Sequence, residues 1–139
     1  MKSLRTLLKL AERDVETLRR ALADQLGKLS LTEERLRSHE QTIVVEQQLA
    51  ARDYESQRAY GGYAVAALAV RRALTAEISA IEAECSRVRA LIAEAHVEMR
   101  KFERLIELEE QRAAARRAKR EDDELDEMAT LRAGRARQA

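Results

Sequence analysis

The sequence predicts an all-α protein: a long two-helix antiparallel coiled-coil hairpin with its turn near Gly61–Gly62. Three observations lead there. The 139 residues include no proline, no tryptophan and one phenylalanine, and 37% are charged. A chain dominated by Ala, Leu, Glu and Arg favours long helices, and its sparse β-branched and aromatic residues leave little from which to build a sheet. Apolar residues recur at heptad spacing in both halves of the chain, and the one adjacent glycine pair stands between those halves.

The first helix is expected over about residues 3–60. Leu8, Val15, Leu22, Leu29, Leu36, Ile43 and Ala50 fall at seven-residue intervals. Gly27 followed by Ser30-Leu31-Thr32-Glu33 offers a capping box, and with it a possible restart. The row Leu22–Leu29–Leu36 nevertheless passes through without a phase shift, and an interior glycine costs only about 1 kcal/mol against alanine. One helix is therefore retained. Glu16–Arg20 and Glu33–Arg37 stand four apart and support it.

Tyr60-Gly61-Gly62-Tyr63 is read as the turn, because glycine accepts the positive φ that many helix ends and tight turns require. Folding there sets Leu22 against Phe102, Leu29 against Ala95, Leu36 against Val88, Ile43 against Ile81 and Ala50 against Leu74, with Asp53 opposite Arg71. The rival is one continuous rod that dimerises, with the glycines a weak point inside it. Two separately read rows meeting in register favours the hairpin.

The second helix is expected over about residues 63–125. Leu74, Ile78, Ile81, Cys85, Val88, Ile92, Ala95, Met99, Phe102 and Ile106 alternate steps of four and three without one charged residue, the a/d seam of a coiled coil. Its counterpart on helix 1 is poorer: beside the Leu8–Ala50 row runs Leu18, Gln25, Thr32, His39 and Glu46. Leu91, Leu105 and Leu108 add a further apolar row to helix 2. That surplus either invites a partner helix or is the ordinary aliphatic exposure of a thin rod. From Gln111 to Arg120 come five basic residues and four alanines, then the acidic run Glu121–Glu127. Residues 1–125 are read as a single hairpin domain, and 126–139 as a charged tail expected to fray.

Composition narrows function more by exclusion than by signature. A net charge of +1 supplies no global attraction for nucleic acid or anionic membranes. Cys85 is the lone cysteine, so an intramolecular disulfide or thiolate zinc cluster is not expected, and a reducing compartment fits. The opening Met1-Lys2-Ser3-Leu4-Arg5 has no following apolar run, and neither a secretory signal nor a membrane span is expected. The two histidines, His39 and His96, fall far apart in the hairpin. The register would bring Cys85 near His39, yet a two-helix seam offers no substrate pocket, so Cys85 reads as a small core residue. Gly61-Gly62 lacks the further glycines and the lysine of a phosphate-binding loop. No catalytic, cofactor-binding or metal-ligating residue is predicted, and no cofactor. Tyr54, Tyr60 and Tyr63 cluster near the predicted tip, where they either shield the turn or form an interface anchor. The basic run Arg112–Arg120 has no interleaved aromatics and an acidic run beside it, which favours a charged protein surface over nucleic acid as its partner.

Several stretches in order resemble the FliJ family of flagellar type III export. They are Met1-Lys2-Ser3-Leu4-Arg5-Thr6-Leu7-Leu8-Lys9-Leu10; Glu46-Gln47-Gln48-Leu49-Ala50-Ala51-Arg52-Asp53-Tyr54 through Tyr60-Gly61-Gly62-Tyr63; Glu98-Met99-Arg100-Lys101-Phe102-Glu103; and Glu121 through Met128. The likeness spans nearly the whole chain. It implies a small bacterial cytoplasmic coiled-coil stalk, not an enzyme, associated with the inner-membrane export apparatus only through its partners. Those partners would be the hexameric export ATPase, the cytoplasmic platform of the export gate and, for some members, export chaperones. Carried over, the ATPase-facing chain ends would present Lys2, Arg5, Lys9 and Arg13 with Arg112, Arg116, Arg117 and Arg120. The gate-facing tip would present Gln47 and Tyr54, which stand at a spacing similar to a glutamine–tyrosine pair in the family, and the clustering of tyrosines adds Tyr60 and Tyr63 to that tip region. The alternatives from other classes are a homo-oligomeric coiled-coil scaffold and a nucleic-acid-associated coiled coil.

Overall fold

In the computed structural model, which describes residues 2–138, the chain forms two long helices packed against each other as an all-α hairpin. Helix α1 spans Lys2–Ala50 and helix α2 spans Tyr54–Gln138. The chain divides into two compact units, each drawing on both helices: Asp14–Ala95, which holds the turn, and Met1–Arg13 with His96–Ala139.

The heptad rows form the seam. Every residue of the predicted α2 row from Leu74 to Ile106 is buried or half-buried, as are Leu8 to Ala50 and the companion row Leu18, Gln25, Thr32, His39 and Glu46 of α1. The innermost side chains are small: Ala11, Val15, Ala50, Ala67, Cys85 and Val88, together with Thr32. Small residues at a two-helix contact let the backbones approach closely, and the core is correspondingly thin. Thr32 is only 3% exposed, and its hydroxyl donates to the Lys28 carbonyl one turn back, at 2.9 Å. That local bond removes the cost of an unpartnered hydroxyl in the seam.

The turn is not at the glycine pair. It lies at Ala51–Arg52–Asp53, and Gly61 and Gly62 sit within α2. The reason lies in capping. The α1 end tightens as the Ala51 amide donates to the Gln47 carbonyl and the Arg52 amide to the Leu49 carbonyl, both at 3.1 Å. Asp53 then caps α2: its carboxylate accepts from the Glu55 amide at 3.3 Å and the Ser56 hydroxyl at 3.4 Å, and its carbonyl accepts from the Gln57 amide at 3.0 Å. Glu55 adds an acidic side chain to the first turn, where the helix dipole favours it. Among the described residues none takes a positive φ, so this turn has no need of glycine.

Moving the turn slides the register. Glu40 pairs with Arg71 at 3.5 Å, and His39 Nε2 lies 2.8 Å from the Ala67 carbonyl oxygen. The expected pairings, including Asp53 with Arg71 and His39 near Cys85, are displaced by about two heptads, a slip that leaves the same faces in contact. The carbonyl can only accept, so His39 Nε2 carries the proton and donates.

The expected fraying beyond residue 125 is also corrected, since α2 continues to Gln138. The stretch holds no proline, and its alanines, arginines and glutamates are strong helix formers, which supports a helix there without a neighbour.

Two stability predictions follow from the turn. A Cβ added at Gly61 or Gly62 would meet nothing within 4 Å. Gly61→Ala and Gly62→Ala should therefore each stabilise the chain by about 1 kcal/mol, measured by circular dichroism in denaturant. A loss of stability would restore the glycines to the turn. Asp53→Ala should cost about 1 kcal/mol and Asp53→Asn much less; equal losses in the two variants would dismiss the cap.

Candidate partner-binding surfaces

One unit contains both chain ends and all eight of the basic residues singled out there. On α1, Lys2, Arg5, Lys9 and Arg13 are spaced by three, four and four residues, which places them along one stripe of the helix. All four are exposed, as are Arg112, Arg116, Arg117 and Arg120 on α2. Arg5 Nη2 reaches Glu110 Oε1 at 3.5 Å, and Arg116 Nη2 reaches Glu109 Oε1 at 3.4 Å. Among the described residues, the other six of these eight side chains form no ion pair. Pairs this exposed contribute little and weaken with salt, so the end keeps a net basic surface. The part played by Glu110 escaped sequence reasoning because it depends on which turn of α2 lies beside Arg5, whereas Glu109 stands seven residues before Arg116 on the same helix.

The residues proposed for the tip are arranged differently from one another. Gln47 is exposed in the last turn of α1, with its backbone carbonyl taken by Ala51. Tyr54 opens α2 and is 75% exposed. Tyr60 and Tyr63, three apart on one face, are half-buried, with ring centroids 6.0 Å apart and planes inclined by 38°. They line a shallow hollow with Glu46, Leu49 and Ala50 of α1. The Tyr63 hydroxyl is buried without a hydrogen-bond partner. Of the three tyrosines, then, Tyr54 presents its ring to solvent, and the other two are committed largely to the hairpin.

Elsewhere the chemistry is structural. Cys85 is 2% exposed and fills the seam as expected of a core residue. On the outer face of α2, Arg87 grips Glu84 through Nη2 at 2.6 Å and Nε at 3.0 Å. The hydrogen bond from Arg87 holds the Glu84 carboxyl below its ordinary range. No group of three or more His, Cys, Asp and Glu among the described residues is placed to hold a metal ion. No described helix is long and apolar enough to cross a membrane.

No curated protein and no solved structure matches the chain. One family model does match, described as flagellar FliJ protein, and it covers residues 1–138. The match takes in both basic chain ends, the turn and its tyrosines, and the whole of α2 as far as Gln138. With essentially the entire helical hairpin accounted for, the chain belongs to the FliJ family of flagellar export components.

Proposed function

We propose that this protein is a non-catalytic coupling stalk of the flagellar type III export apparatus. In this reading it engages the hexameric export ATPase through its chain ends and the cytoplasmic platform of the export gate through the turn region. It acts in the cytoplasm and needs no cofactor.

The observation that carries the reading is the exposed basic surface of the unit holding both chain ends. Six of its eight singled-out cations have no ion-pair partner among the described residues, which leaves them available to carboxylates of another protein. Long-range attraction of that kind raises the rate of encounter and selects the partner by charge. At the turn, Tyr54 combines an exposed apolar ring with a hydroxyl, and Gln47 adds a neutral donor and acceptor. Such a pair suits a polar protein surface with one aromatic anchor.

Adding the purified protein to the export ATPase should stimulate ATP turnover and favour ring assembly. A variant combining Arg112→Glu, Arg116→Glu, Arg117→Glu and Arg120→Glu should lose that stimulation. A variant combining Gln47→Ala and Tyr54→Ala should keep it while losing capture by the gate platform domain. If the wild-type protein stimulates nothing and is captured by neither partner, the stalk reading fails.

A further inference from the structure

Helix α2 outruns α1. Arg5 of α1 lies beside Glu110, Ala113 is the last half-buried residue of α2, and everything from Ala114 to Gln138 is exposed. Among the described residues the ion pairs also stop at Arg116. The helix nevertheless carries three large apolar side chains in this stretch: Leu125, Met128 and Leu131, exposed by 64%, 52% and 61%.

Their surroundings are symmetric about Met128. Leu125 and Leu131 stand three residues to either side of it. Four residues away come Glu124 on one side and Arg132 on the other, and seven away come Glu121 and Arg135. Offsets of three, four and seven return to one face of an α-helix, so these seven residues form a single stripe. The centre of the stripe is apolar. One wing is acidic and the other is basic, at mirrored positions.

We infer that this stripe is a docking surface for a second copy of the same chain, paired antiparallel about a twofold axis at Met128. Two copies related in that way place Met128 against Met128 and Leu125 against Leu131. Glu124 of one copy meets Arg132 of the other, and Glu121 meets Arg135, each pair occurring twice. A twofold interface demands self-complementarity: each position must suit its mirror position on the other copy. An unrelated partner imposes no such demand, so the mirrored pattern with inverted charge favours a second copy. Wing charges that match in one orientation only also set the register, as flanking charges do in coiled coils. The contact is short, which makes the dimer weak, concentration-dependent and sensitive to salt.

The test is sedimentation velocity on the full-length chain over a range of micromolar concentrations. The wild-type protein should shift from monomer to dimer as concentration rises. Glu124→Arg alone replaces both attractive pairs at that layer with cation pairs, and Arg132→Glu alone replaces them with anion pairs. Each should weaken the dimer by on the order of tenfold while leaving the helical signal unchanged. An equimolar mixture of the two variants should dimerise again, since every cation then meets an anion. In a Cys85→Ser background, Met128→Cys should form a disulfide between copies at its own mirror position when a thiol oxidant such as diamide is added to take up the two electrons.

A wild-type chain that stays monomeric throughout would overturn the proposal, and so would a dimer that ignores both charge reversals. A tail protected only when the export ATPase is added would assign the stripe to that partner and overturn it equally.

Discussion

The pairing of α1 with α2 depends on how the polar members of the α1 seam are satisfied. Gln25, Thr32, His39 and Glu46 recur every seven residues where a stronger coiled coil would place leucines. Each must find a partner or a route to water. Thr32 turns back on its own helix, and His39 donates across the seam to the Ala67 carbonyl at 2.8 Å. An apolar row tolerates sliding by a heptad at modest cost. A histidine donor moved away from its carbonyl would be left half-buried and unpaired, at a cost of about 1–3 kcal/mol. The imidazole thus does more to select one register than the leucines around it.

Around that constraint the chain distributes different surfaces. The turn is closed by a polar cap with no positive φ, which leaves Tyr54 and Gln47 exposed beside it. The unit with the chain ends is basic on α1 and on the adjoining stretch of α2, with Glu109 and Glu110 each holding one arginine. Past Ala113, α2 is an unaccompanied helix whose charges alternate in blocks. The proposed stalk role, which works through contacts, is expected to vary the surface along the chain in this way. It need not gather polar groups in one cleft, as catalysis would.

Much of the fold was legible in the residues. The charge-free row from Leu74 to Ile106 and the heptads from Leu8 to Ala50 mark the buried faces, because burial against a straight partner requires that period. Their register was not legible, for the same reason: a period of seven matches itself at every heptad, so it names the faces and leaves the turn undetermined. The glycine pair then drew the turn toward residues 61 and 62. Asp53, with Glu55 and Ser56 behind it, was the better signal, since a helix start needs acceptors for its free amides and this turn needs no positive φ. The tail was undervalued in a similar way. Its alanines, arginines and glutamates are strong helix formers uninterrupted by proline, and they support a helix even without a neighbour. For the candidate surfaces, the basic residues could be found from sequence, but the carboxylate beside Arg5 depends on packing. Nothing in the tyrosine spacing distinguished exposed Tyr54 from half-buried Tyr60 and Tyr63.

The register itself can be measured directly by crosslinking. In a Cys85→Ser background, Glu40→Cys with Arg71→Cys should be joined efficiently by a short bifunctional thiol reagent, because these side chains meet across the hairpin at 3.5 Å. Asp53→Cys with Arg71→Cys should not be joined, since those positions lie about 27 Å apart along a single helix. The reverse result, with the second pair linked and the first refractory, would return the turn to Gly61–Gly62 and contradict this account of what holds the two helices in place.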